Sequence, residues 1–128
     1  MEVTLDTHAL IWYMIDKLNN KLSQRVQNVI KEAEVNGTIY ISVIVLMEVL
    51  HLVERGKIDL SFDKLITDIE RSVNYKIVTF DTKLLKIAKT LKGLEAHDRL
   101  ILATAILTDS YLVSKDKVLR EKWENTVW

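Results

Sequence analysis

Four carboxylates stand where a folded chain has reason to avoid them. Asp6 closes the apolar run in "EVTLDTHAL", Glu48 interrupts "VIVLMEVLHLV", Asp98 opens "DRLILATAIL", and Asp116 comes just after "YLVS". A fifth, Asp81, follows "KIVTF". A carboxylate in apolar surroundings is costly unless it is paired or meets a metal ion. Several at one site cannot all ionise without a cation, because each raises the pKa of the others. With no cysteine in the chain, all-oxygen ligation points to Mg²⁺ or Mn²⁺ rather than structural zinc. The chemistry that follows is metal-assisted phosphoester hydrolysis. Other readings stay open at this level. Asp81, Asp98 and Asp116 are each placed to cap a helix, and Glu48 to form a core salt bridge. Glu32, Glu34, Asp59, Asp63, Asp68 and Glu70 lie among polar neighbours or on polar helix faces, and Asp16 and Asp109 near helix ends, so all are expected to be solvated.

The elements that must position these acids alternate between short β-type runs and longer helical patterns. Val3 to Leu5 reads as a strand, and Thr7 to about Leu18 as a helix. A helix from about Ser23, its N-cap, to Asn36 follows, with Val26, Val29, Ile30 and Ala33 inward. "TIYIS" is a second strand. Val43 to Glu54 is a helix apolar almost all round, which predicts burial. Phe62 to Val73 is helical, "KIVTF" is a third strand, and Asp81 starts a helix that stops at Gly93. Asp98 to about Thr108 is helical, "YLVS" is a fourth strand, and a short helix starts at Asp116. The terminal "VW" makes a fifth, edge strand. The three glycines, Gly37, Gly56 and Gly93, all fall where a helix is expected to stop. This alternation predicts an α/β three-layer sandwich, with a central mostly parallel sheet of four to five strands flanked by helices. In such sheets ligands bind beyond the carboxyl ends of the strands, which is where Asp6 falls.

The bulk properties agree. The 128 residues are 48% hydrophobic and 28% charged, the balance of one globular domain spanning 1–128. Eighteen basic and eighteen acidic residues cancel, so net charge gives no support to nucleic-acid binding. The apolar runs fall far short of the ~20 residues that a membrane span needs. The opening "MEVTLDTHAL" has no basic n-region or cleavage site, so no signal peptide is expected. A cytoplasmic protein with no membrane partner is the expectation.

At this point the sequence resembles the PIN-domain family (PilT N-terminus type), and within it the VapC toxins of toxin–antitoxin pairs. "LDTHALIW" resembles the family's opening motif, "ISVIVLMEVL" its serine–glutamate segment, "HDRLILATA" its third acidic motif and "LVSKD" its fourth. The four occur in the right order across nearly the whole chain. The resemblance implies an acidic cluster of Asp6, Glu48, Asp98 and Asp116. Asp6 and Asp98 would be the firmest metal ligands, with Asp116 and Glu48 ligating directly or through water. It also implies that Asp81 is an N-cap, and that Thr7 and Ser114 are polar supports close to the metal. The implied activity is an Mg²⁺- or Mn²⁺-dependent endoribonuclease restrained by a cognate antitoxin, with a homodimer common among relatives. One departure concerns Asp116: many relatives carry a second acid or an aromatic after it, where this chain has Lys117 and Val118.

His8 and His97 flank two of the acids, and His51 lies one turn after Glu48; packing or hydrogen bonding is the expected role for all three. Trp12, Tyr13 and Met14 cannot share one helix face, so one is expected in the core and another beside a groove or a dimer contact. Lys83, Lys86, Lys89 and Lys92 suggest a solvated face, with phosphate contact the alternative. Arg99 is the preferred candidate for meeting a substrate phosphate or an antitoxin carboxylate. A haloacid-dehalogenase-like phosphohydrolase is the enzyme rival, but it needs an aspartate where this chain has His8. A receiver domain would want an early acidic pair and a phosphoacceptor on a central strand, and neither is clear. A catalytically inactive RNA- or metal-binding module is the non-enzyme alternative.

Overall fold

A computed structural model describes residues 1–128. Five strands form one sheet in the order β3-β2-β1-β4-β5: β1 (Glu2–Leu5), β2 (Thr38–Ser42), β3 (Tyr75–Val78), β4 (Tyr111–Val113) and β5 (Thr126–Val127). Every neighbouring pair is parallel, so the expected mostly parallel sandwich is wholly parallel. Helices α1 (Thr7–Met14), α2 (Gln24–Asn36), α3 (Val43–Glu54), α4 (Phe62–Arg71), α5 (Thr82–Lys89), α6 (Ala96–Leu107) and α7 (Lys117–Lys122) connect the strands. No helix is long and apolar enough to cross a membrane.

The central strand explains the layering. Val3, Thr4 and Leu5 are all fully buried, so both faces of β1 are covered, as parallel sheets require. Helices α2 and α6 both pack on β1 and β2. The polar member of that triplet needs partners. The Thr4 hydroxyl pairs with the Ser110 hydroxyl at 2.7 Å, which in turn pairs with that of Thr108 at 2.8 Å.

The chain departs from the sequence expectations at several helix ends. Helix α1 stops at Met14 rather than running to Leu18, and Asp16–Lys21 forms a 3-10 helix. The Asn19 amide donates to the carbonyls of Trp12, Tyr13 and Ile15 at 2.6, 3.1 and 3.3 Å, satisfying the groups that the end of α1 leaves open. Helix α4 ends at Arg71, and β3 starts at Tyr75 and ends at Val78. Gly93 follows the end of α5 by several residues; its φ of 91° serves the turn into α6. Helix α3 is not buried all round. Val43 is 38% and Met47 56% exposed, so one apolar stripe faces outward.

Glu34 is a further correction. Instead of being solvated, its carboxylate accepts hydrogen bonds from Tyr13 Oη at 2.9 Å and Tyr75 Oη at 2.6 Å, tying α1, α2 and β3 together. Burial first, then the hydrogen bond to Glu34 and its negative charge, push both phenols above their ordinary pKa. Replacing Glu34 by alanine is expected to cost about 2 kcal/mol, since hydrogen bonds to a charged group are worth roughly 1.5–3 kcal/mol. In urea unfolding the midpoint should fall while the slope stays unchanged.

Candidate functional site

The sheet order creates a switch point. From β1 the chain proceeds to β2 and β3 on one side, and later places β4 and β5 on the other. The crevice beyond the carboxyl ends of β1 and β4 is where an open parallel sheet binds ligands. Asp6 leaves β1 there, its N–H still bonded to the Val113 carbonyl at 3.2 Å. Ser114 and Asp116 leave β4 beside it.

Each acid arrives with its carboxylate oriented by a local interaction or its helix position. Asp6 caps α1, accepting the Ala9 N–H at 2.9 Å, and is only 8% exposed. Asp116 caps α7 through one oxygen, which accepts the N–H groups of Val118 at 2.8 Å and Leu119 at 3.1 Å. The buried Ser114 hydroxyl accepts the Asp116 N–H at 3.0 Å and also favours the ionised form of Asp6. Glu48 projects half-buried from α3 and accepts the Thr7 hydroxyl at 2.6 Å. It has no basic partner, so it is not half of a core salt bridge. Asp98 is not the cap of α6. Glu95 takes that place, accepting the Asp98 N–H at 2.8 Å, and leaves the Asp98 side chain in the first helical turn.

Asp6, Glu48, Asp98, Asp116 and Thr7 thereby line one cleft of about 470 Å³, within the roughly 300–1,000 Å³ usual for ligand sites. A larger depression of about 600 Å³, between the 3-10 helix and the segment after α3, gathers no such set. Asp81 stands apart: its exposed carboxylate caps α5 through the Leu84 N–H at 2.9 Å. Arg99 is a correction. It lies outside the acidic cleft, and its guanidinium donates to the carbonyls of Ala88 at 3.2 Å and Lys89 at 3.3 Å. Those are carbonyls at the end of α5, which attract a cation. His97 is exposed near Glu95, and His51 is exposed beside Arg55. Lys83, Lys86, Lys89 and Lys92 are exposed, consistent with a solvated face. The sequence reading missed Lys115 in the cleft, although it stands inside the "LVSKD" motif.

The acids sense one another. Burial lifts the Asp6 carboxyl above its ordinary pKa against the pull of Ser114, the Ala9 N–H and His8, and Asp116 adds to the lift. Asp98 is pushed up to about 6, by burial first and then by Glu95, Asp116, Asp6 and Glu48. None of the four cleft acids forms an ion pair with a cation of the chain. The donor set is oxygen only, which suits a hard divalent cation. No three carboxylates or imidazoles stand close enough to make a ready-built cage.

A family model for the PIN domain matches residues 3–123. No curated protein is significantly similar in sequence. Several solved structures are similar in fold. The VapBC2 assembly of Rickettsia felis, bound to a promoter DNA fragment, matches with a TM-score of 0.68 at 20% identity, covering 99% of this chain and 96% of that one. A toxin–antitoxin complex of Klebsiella pneumoniae gives 0.71 at 17% identity, over 98% and 96%. FitAcB of Neisseria gonorrhoeae gives 0.58 at 21% identity, again over 98% and 96%.

The burial of Asp6 has a measurable consequence. Because its folded pKa is raised, its charge destabilises the metal-free fold above that pKa, and the effect disappears below the unfolded value near 3.8. Asparagine caps a helix as well as aspartate. Asp6→Asn is therefore expected to raise the melting temperature of the metal-free protein at pH 7, with the gain shrinking as the pH falls towards 4. A thermal-melt series in EDTA from pH 4 to 8 measures this; a gain independent of pH would contradict it.

Proposed function

The chain belongs to the PIN domain family, a family of nucleases, and from that premise we propose that it is an Mg²⁺- or Mn²⁺-dependent endoribonuclease acting as the toxin of a toxin–antitoxin pair. The observation that carries the reading is the convergence of Asp6, Glu48, Asp98 and Asp116, from four separate segments, on one cleft with no ion pair to offset them. Asp6 and Asp98 would be the firmest ligands of the cation, with Asp116 and Glu48 reaching it directly or through water. When bound, it polarises the phosphate and the attacking water. The chain's own residues supply the rest. Thr7 fixes the orientation of Glu48. Ser114 holds Asp116 by its backbone and steadies the Asp6 charge. Lys115, at the same cleft, offers a charge to a phosphate oxygen. Similarity to a structure described as a toxin–antitoxin complex supports an antitoxin partner. On this reading residues 1–128 form one domain, the protein pairs with itself, and its substrate is cytoplasmic RNA.

Incubating the purified protein with single-stranded RNA, with Mg²⁺ or Mn²⁺ and with EDTA, tests the reading. Cleavage should require the metal and should fall by more than about a hundredfold in Asp6→Asn and Asp98→Asn, beyond the roughly 10–100-fold that the loss of a supporting partner costs. Equal cleavage in all samples would mean a contaminant, and would remove the support for catalysis.

Thr7→Val keeps the volume of a buried side chain and deletes the hydroxyl that holds Glu48. It should lower cleavage by about 10–100-fold, the usual cost of removing a partner that orients a ligand, while leaving circular dichroism unchanged.

A further inference from the structure

Beside the acidic cleft stands an aromatic and cationic group of which the reading above uses only Lys115. Trp12, on the last turn of α1, lines the cleft and is half-buried. Lys21 Nζ, from the end of the 3-10 helix, lies 5.6 Å from its ring centroid, and Lys115 Nζ, from the loop after β4, lies 6.0 Å away. His8, one turn earlier on α1, meets the ring at 5.4 Å with a 45° tilt. Trp128 abuts it edge-on at 5.8 Å. The indole is thus braced by aromatic neighbours and approached by two ammonium groups from segments distant in sequence.

Packing alone does not account for this. Two like charges converge on one ring, and neither lysine forms an ion pair. Both are exposed, and both contacts lie near the outer limit of about 6 Å for a cation–π attraction, so the hold on the ring is weak and exchangeable. Lys115 lines the same cleft as four carboxylates and still pairs with none of them. A braced aromatic ring flanked by free cations is what proteins use to bind single-stranded nucleic acid: the ring takes a base, and the cations take phosphates.

We propose that Trp12, braced by His8 and Trp128 and flanked by Lys21 and Lys115, is a stacking platform for one unpaired base of a single-stranded RNA whose neighbouring phosphate enters the acidic cleft. The proposal rests on the nuclease reading for its ligand, and it adds a selection rule. A base in a duplex is already stacked and cannot reach the ring, so the platform admits unpaired segments. On binding, the lysine stems leave the ring and their ammonium groups move to the phosphates on either side of the stacked base.

The test is binding of fluorescein-labelled single-stranded RNA 12-mers by anisotropy with Ca²⁺ in place of Mg²⁺, which keeps a divalent cation among the carboxylates, with strand integrity followed on a gel to separate binding from cleavage. Each oligonucleotide of the series carries one abasic site at a successive position. With the wild-type protein, one position should weaken binding by roughly 5–150-fold, the equivalent of about 1–3 kcal/mol for a base stacked on an aromatic ring. Trp12→Ala should weaken binding of the intact strand by a similar factor and be indifferent to that abasic site, whereas Trp12→Phe should keep most of the affinity. Lys21→Ala and Lys115→Ala should each reduce the salt slope by about 0.7, the value for one phosphate contact on a single strand. A flat abasic scan with the wild-type protein overturns the proposal without relying on any variant folding. Equal affinity of Trp12→Ala and wild type, or equal affinity for a duplex of the same sequence, also overturns it. In those cases metal-dependent cleavage lost in Asp6→Asn would leave the nuclease reading standing. Absence of both binding and cleavage would remove both. Trp12-dependent binding without cleavage would keep the platform in a protein that only binds.

Discussion

Four like charges held at one edge of a parallel sheet set the terms for the rest of the molecule. Burial first, and their mutual repulsion after it, oppose the ionised form, which raises the pKa of Asp6 and Asp98. The cluster persists because no single loop carries it. Asp6 is fixed to a central strand whose Val3, Thr4 and Leu5 are fully buried, Asp116 to the strand beside it, and Glu48 and Asp98 to helices packed against each other. Each acid is pinned by its own element, so moving one of them away would require unpacking core residues such as Leu5, Val49, Leu102 or Val113. The apolar core supplies the restraint that the charges lack.

The same local device occurs three times, and only strand order gives the occurrences different uses. Asp6, Asp81 and Asp116 each follow a strand, take an extended backbone and cap the next helix. β1 and β4 are neighbours at the point where the chain reverses its direction across the sheet, so Asp6 and Asp116 share a cleft. β3 forms the outer edge on the far side of β2, and Asp81 remains an exposed cap. The distinction is topological and has no local signature. That is why the residue pattern alone left Asp81 and Asp116 tied, and why the whole-chain resemblance separated them.

Much of the fold was legible because the first four strands are short β-type runs, each ending on or within three residues of a helix-capping residue, and the helix periods are clear. The four acids were legible because an acid beside an apolar run is conspicuous. What was hidden depended on distant partners. The early end of α1 is marked by no glycine or proline; it is closed by Asn19 reaching back. Glu34 looked solvated in a polar neighbourhood, yet its two tyrosines come from other elements. Asp98 looked like a helix start because glutamate is a less usual cap, and Glu95 had already taken the place. Arg99 was expected to meet a phosphate or an antitoxin carboxylate because it adjoins Asp98, but successive helical residues point in different directions, and its guanidinium reaches α5.

The capping role of Asp6 has an evolutionary side. Asparagine serves equally well at that position in the helix, and a single nucleotide change converts one residue to the other. A lineage with no further use for the cleft would find that first step free of any cost to folding, and slightly advantageous. Aspartate at 6 is thus a residue whose charge the helix cap does not require, and the use of that charge lies in the cleft.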